Sequence, residues 1–133
     1  MGRILALDLG SSRTGLAISD EEKIISQALP FTVTLNELEE TVRNLNQEYS
    51  FELMLVGLPK TLDGSEGSQA VWTKKIAERI SQAVGLPVVF LDERLTSKQA
   101  FHFKNDTSVP LDSLAAQKLM ETYLKIQKNN KRQ

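Results

Sequence analysis

The sequence predicts a single α/β domain built on a mixed central sheet. Three short runs, Ile4–Leu7, Leu53–Val56 and Val88–Leu91, are apolar at every position, as strands covered on both faces are. Segments with apolar residues at helical spacing lie between and after them, which is the alternation of α/β folds. The length of 133 residues suits one domain. At 41% hydrophobic and 25% charged residues, the composition is that of an ordinary folded protein.

The first strand, Ile4–Leu7, runs into Asp8-Leu9-Gly10. Residues 10–15 read as a turn, and Leu16–Asp20 as a second strand with Leu16 and Ile18 on one face, closing a hairpin. Ile24–Val33 reads as a third strand, which Pro30 demotes to an edge or a broken strand because proline cannot donate to a ladder. Thr34-Leu35-Asn36-Glu37 fits a capping box, and Leu35, Leu38, Val42, Leu45 and Tyr49 stripe the helix behind it. Leu53–Val56 follows, closed by Gly57-Leu58-Pro59, so strand, helix and strand form a right-handed crossover with a parallel pair. The polar stretch Thr61–Ser68 is a loop. A second helix carries Trp72, Ile76, Ile80 and Ala83, and Gly85 and Pro87 stop it. Val88–Leu91 is a last buried strand, ending at Asp92-Glu93-Arg94. Thr96-Ser97-Lys98-Gln99 looks like a capping box for a helix with Ala100, Phe101 and Phe103, residues 105–108 form a loop, and Leu111, Leu114, Ala115, Leu119, Tyr123 and Ile126 stripe a final helix. The domain is expected over residues 1–128, with 129–133 a flexible basic tail. The order β-β-β-α-β-α-β-α-α is shared by ribonuclease-H-like and actin-like ATPase folds, and order alone does not choose a function.

Composition excludes several chemistries. With no cysteine there is no disulfide scaffold, thiolate zinc site or cysteine nucleophile. One histidine rules out a His-rich metal site. No apolar run reaches the roughly 18 residues of a membrane span, and the N-terminus lacks the features of a signal peptide, so a soluble cytoplasmic protein with no membrane partner is expected. A net charge of −1 argues against a dedicated DNA-coating protein, while leaving room for an enzyme that holds nucleic acid through a local basic patch.

Acids at strand ends carry the chemistry, because a strand end is rigid enough to hold a carboxylate to metal-site tolerance. Asp8 closes the first strand, and Asp92 and Glu93 close the last. If the fourth strand lies between them, the two ends are roughly 9–10 Å apart on one sheet edge. Successive residues point to opposite faces, so only one of Asp92 and Glu93 is expected to face Asp8. Asp112 sits near the start of the last helix; packed near the first strand, it completes a trio of hard oxygen ligands suited to Mg²⁺ or Mn²⁺. Two such ions activate a water and stabilise the leaving oxygen of a phosphodiester. Each acid also has a plain reading: Asp8 as a turn residue, Glu93 as a surface ion-pair partner of Arg94 or Lys98, Asp112 as a helix-dipole partner. Arg13, in the turn after Asp8, is a candidate phosphate contact or a solvated turn residue. Lys60 belongs to a glycine-bearing loop that lacks the Walker spacing and is a candidate substrate loop or an ordinary connection. His102 reads as a packed or surface residue and Trp72 as core, and Lys74, Lys75 and Arg79 as a solvated helix face or, second, a nucleic-acid contact.

Four blocks together resemble one family. They are Asp8-Leu9-Gly10-Ser11-Ser12-Arg13-Thr14-Gly15-Leu16-Ala17-Ile18-Ser19-Asp20, then Val56-Gly57-Leu58-Pro59 with Asp63-Gly64-Ser65-Glu66-Gly67, then Asp92-Glu93-Arg94-Leu95-Thr96-Ser97, then Asp112-Ser113-Leu114-Ala115-Ala116. In this order and length the chain resembles the YqgF (RuvX) family over nearly its whole extent. The resemblance implies a ribonuclease-H-like fold related to the Holliday-junction resolvase RuvC, with five strands in the order 3-2-1-4-5. It implies a nuclease that matures the 5′ end of pre-16S ribosomal RNA, with junction resolution as the family's older assignment. Carried over residue by residue, Asp8, Glu93 (or its neighbour Asp92) and Asp112 are the implied metal-binding catalytic acids; Arg13, Lys60, Arg94, Thr96 and Ser97 are the candidate substrate contacts. RNA, branched DNA and ribosomal precursor particles are the implied partners, with the chain a monomer or a homodimer. Many relatives carry an Arg- and Lys-rich run before the last acid; here residues 104–111 are nearly uncharged, which removes phosphate contacts. An actin-like phosphotransferase is disfavoured because it needs two lobes closing on a nucleotide, and a ribosome-assembly factor without hydrolysis is disfavoured by the three acids.

Overall fold

A strand that is apolar at every position must be covered on both faces, and the Ile4–Leu7 run lies at the middle of a five-stranded sheet. The computed structural model describes residues 2–96 and 108–131. The strands are β1 (Arg3–Leu9), β2 (Thr14–Ser19), β3 (Ser26–Val33), β4 (Phe51–Leu58) and β5 (Val88–Asp92). Their order is β3-β2-β1-β4-β5, as expected. The β1–β2 and β2–β3 pairs are antiparallel, while β1–β4 and β4–β5 are parallel. Helices α1 (Leu35–Tyr49), α2 (Ser68–Val84) and α3 (Leu111–Lys131) complete the domain, and a short 3-10 turn, Glu93–Leu95, follows β5.

The period-2 alternation of strands divides the core in two. Leu5, Leu7, Leu16, Ile18, Met54 and Val56 meet Leu38 and Val42 of α1 and Ala77 and Ile80 of α2. Ile4, Ala6, Ala17 and Leu55 meet Ala116, Leu119 and Met120 of α3 on the other face. The same parity assigns Asp8, Gly15 and Gly57 to the α3 face, and Asp92, two residues after Phe90, to the α1/α2 face.

Several boundaries differ from those read in the sequence. Gly15 is a strand residue, opposite Asp8, rather than part of the turn. The third strand starts at Ser26, because the Asp20 carboxylate accepts the Ile24 and Ile25 N–H groups (2.7 and 2.8 Å) and holds them in a turn. Pro30 does lie on an edge strand. Gly15 pairs with Thr32 but Ala17 with Ala28, so the stretch opposite Leu16 bulges, and Pro30 sits inside the bulge. At the expected capping box, the Thr34 hydroxyl bonds the Glu37 carboxylate (3.0 Å) and caps no backbone N–H. Gly85 ends α2 in the left-handed conformation at φ 80°. Ala83 is exposed, and Ala70 and Thr73 take the inward positions of α2.

β5 is the far edge of the sheet, so only Leu91 is buried there and the expected fully buried strand is half-covered. In α3, Ser113, Ala116 and Met120 join Leu114 and Leu119 inside, while Leu111 is exposed. α3 runs through Lys131, so residues 129–131, assigned to the tail, continue the helix; Lys128 and Lys131 in its last turn suit the negative end of the helix dipole. The second capping box beyond Thr96, the helix with Ala100, Phe101 and Phe103, and most of the loop before Ser108 lie outside the described residues. Among the described residues no helix is long and apolar enough to cross a membrane.

A carboxylate cluster as the candidate functional site

Asp8 ends a central strand on the α3 face, and both of its neighbours in the sheet are glycines. Gly15 of β2 is its register partner. Gly57 of β4 follows Val56, which pairs with Leu7. A Cβ on Gly15 would lie 1.9 Å from the Asp112 carbonyl oxygen and 2.4 Å from the Ser113 nitrogen. A Cβ on Gly57 would lie 2.6 Å from Glu93 Oε1 and 2.8 Å from its Cγ. Neither glycine has a positive φ, so what each provides is space. The gap at Gly15 admits the first turn of α3 with Asp112, and the gap at Gly57 admits Glu93.

Three acids from three separate elements therefore converge. Burial pushes the Asp8 carboxyl up to about 7, helped by the Glu93 charge, a hydrogen bond with Glu93 and, last, the Asp112 charge. Two carboxyls in hydrogen-bond contact cannot both ionise cheaply, so the Asp8–Glu93 pair retains a proton. The Asp112 charge adds the smallest of these effects. Among the described residues no three carboxylates stand close enough to enclose a cation as they are.

The raised Asp8 pKa has a consequence for stability. The folded protein keeps a proton that the unfolded chain releases above about 4, so this group's contribution falls as pH rises from about 4 to about 7 and is flat beyond. Asp92 and Asp63 act oppositely: their carboxyls lie at about 2, so their contributions are lost as pH falls from about 4 towards 2. Thermal melts in a chelator should show a higher Tm near pH 5 than near pH 8, and Asp8→Asn should flatten that limb. A wild-type Tm that does not fall over this range would contradict the raised Asp8 carboxyl.

Asp92 is engaged elsewhere. It accepts from the Arg94 backbone N–H (2.9 Å), from Nε (3.1 and 3.0 Å) and from Nη2 (2.6 Å). These bonds, with the Lys60 charge as a lesser cause, hold its carboxyl at about 2. Arg94 also donates from Nη1 to the Leu62 carbonyl (3.4 Å), fastening the β4–α2 loop to the end of β5. Within that loop Asp63 accepts from Thr61 Oγ1 and from the Ser65 N–H (3.0 Å) and hydroxyl (2.8 Å). Of the two acids left open by the sequence, Glu93 is thus the one brought to Asp8.

The expected substrate contacts are dispersed. Arg13 is exposed in the turn beside the site; this turn is tight, since a Cβ on Gly10 would come within 2.5 Å of the Arg13 carbonyl oxygen. Lys60 is half-buried near Asp92. Arg94 spends its guanidinium on Asp92 and the loop rather than facing open solvent alone. Thr96 returns its hydroxyl (2.7 Å) and N–H (3.1 Å) to the Glu93 carbonyl, closing the turn that carries Glu93. Ser97 and His102 lie outside the described residues. Trp72 packs half-buried against the core, and Lys74 pairs with Glu66 (2.8 Å). Sequence reasoning missed Gly15 and Gly57 as site-forming residues; the available signal was a glycine one register step to each side of a strand-end acid.

Comparison with known proteins agrees with this fold. A family model described as "RuvX: Holliday junction resolvase" matches residues 2–126. A protein of Caldanaerobacter subterraneus subsp. tengcongensis is 36% identical over 139 residues, covering 96% of this chain and 99% of its own length. One of Sulfurihydrogenibium sp. is 34% identical over 131 residues, covering 93% and 90%. Both carry the name "Putative pre-16S rRNA nuclease". The solved structure of T. thermophilus RuvC in complex with Holliday junction substrate superposes with a TM-score of 0.61 at 14% identity, covering 95% of this chain and 96% of that one. A second Thermus thermophilus RuvC structure gives 0.57, covering 93% and 96%. The fold is ribonuclease-H-like.

Proposed function

The chain belongs to the RuvX family, and from that premise we propose that it is a divalent-metal-dependent nuclease that matures the 5′ end of pre-16S ribosomal RNA in the cytoplasm. One observation carries the reading: Asp8, Glu93 and Asp112, far apart in sequence, are brought to one face of the sheet, with Asp8 and Glu93 in hydrogen-bond contact.

The donor set fits a hard cation. It is all carboxylate oxygen, which is the ligand chemistry of Mg²⁺ and Mn²⁺. Burial first, and the Glu93 charge second, raise the Asp8 carboxyl, and a cation between the two acids would offset both. Asp8 and Glu93 would hold it from the sheet, and Asp112 from α3. When bound, divalent ions supply an activated water and charge stabilisation at the leaving oxygen. The chain's own work is to fix the acids on two strand ends and a helix start. Arg13 then meets a substrate phosphate from the exposed turn. Lys60 adds a positive charge beside the loop, and the Thr96 bonds to the Glu93 carbonyl keep that acid's turn closed.

The assay is cleavage, with Mg²⁺ or Mn²⁺, of an RNA spanning the 5′ end of the small-subunit ribosomal RNA and of a four-way DNA junction. Metal-dependent cutting of the RNA is expected. Cutting of the junction alone would replace this reading with the resolvase one, and cutting of neither would replace it with a non-catalytic role in ribosome assembly. Two variants separate the paired acids. Glu93→Gln should lose roughly a hundredfold or more in turnover, the scale of removing one electrostatic contributor from a reaction centre, whereas Asp92→Asn should stay within roughly tenfold of wild type. Arg13→Ala should raise KM and leave kcat near wild type, as loss of a contact made equally before and during reaction does. A kcat loss at constant KM would contradict that role.

A further inference from the structure

Ser113 is fully buried, and its hydroxyl stands where the β2–β3 ladder is broken. The bulge opposite Leu16 leaves a strand N–H and a strand carbonyl without each other. Ser113 Oγ accepts from the Leu16 N–H (3.3 Å) and donates to the Phe31 carbonyl (3.1 Å), so one side chain bridges both strands. One helical turn later, on the same side of α3, Gln117 Nε2 donates to the Ser26 carbonyl (3.1 Å) at the other end of β3. Two fasteners a turn apart fix how far α3 is rotated about its axis. That rotation sets where Asp112, the preceding residue, points. The close approach at Gly15 fixes how near α3 comes and leaves its rotation to these side chains.

We propose that Ser113, supported by Gln117, is a positioning residue that aims Asp112 at the Asp8–Glu93 pair. The proposal rests on the metal-site reading above. It assigns the β-bulge a purpose: the break in the ladder frees two backbone groups so that a helix can be locked onto the sheet beside the reaction centre. A buried serine that only fills the bulge would stabilise the fold without acting through Asp112, and the two roles separate in a double-mutant cycle.

The test is the dissociation constant for Mn²⁺ measured by calorimetry on the full chain, without nucleic acid. Ser113→Ala should weaken Mn²⁺ binding about tenfold, the scale seen when a residue orienting a metal ligand is removed. In an Asp112→Asn background the same change should weaken it no further. Gln117→Ala, a milder change at a half-buried position, should give a smaller loss that also vanishes in that background. Val42→Ala, on the buried face of α1 and on the opposite side of the sheet from α3, should lower Tm and leave Mn²⁺ affinity unchanged. Equal affinity for wild type and Ser113→Ala, or an additive loss with Asp112→Asn, overturns the proposal alone. A wild-type chain that binds no Mn²⁺ overturns the metal-site reading and this proposal together.

Discussion

Asp8→Asn is expected to abolish cleavage, by about a thousandfold or more, while raising stability near pH 8. The first half follows from its place at the centre of the cluster, where loss of a ligand removes charge stabilisation from both ends of the displacement. The second half follows from burial. Above about pH 7 the wild type must ionise a buried carboxyl beside Glu93, whereas the unfolded chain ionises it in water. Asparagine has the shape of the protonated acid, and its amide donates to Glu93 as that proton does. Removing the penalty should therefore stabilise the metal-free protein by about 1–2 kcal/mol. Melting curves in a chelator together with a cleavage assay read both effects. A variant that loses activity because it unfolds would make Asp8 a structural residue.

Gly57→Ala and Gly15→Ala should each cost activity, but in different ways. At Gly57 the new methyl meets the Glu93 side chain, which can swing aside. The fold should survive with a loss near 1 kcal/mol, and turnover should drop roughly a hundredfold because Glu93 no longer faces Asp8. At Gly15 the methyl meets the α3 backbone at Asp112 and Ser113, which has no such freedom. That change should cost about 3 kcal/mol or more and take the activity with it. Melts and turnover of the two variants, measured side by side, check this contrast. Comparable destabilisation at both positions would mean that Glu93 is held as rigidly as the helix.

The strands and the acids were legible in the sequence because their signals are local. Apolar runs such as Ile4–Leu7 reveal a central strand, and an acid that ends one stands out. Pro30 announced an edge strand by its missing donor. What stayed hidden depends on register. Gly15 looked like a turn residue because its partner, Asp8, lies across a hairpin whose exact length the sequence does not display. The choice between Asp92 and Glu93 turns on which residue is the last of β5, and a shift of one residue would exchange their faces. The Ser113 bridge to Phe31, 82 residues away, is a tertiary fact with no local sequence pattern.

The most direct measurement is an anomalous difference map from crystals of this protein grown with Mn²⁺. A peak between the Asp8 and Glu93 carboxylates, on the side facing Asp112, is the expected result. A peak at the Asp92 or Asp63 carboxylates, or none in crystals that diffract well and contain Mn²⁺, would contradict the assignment of these three acids to a metal centre.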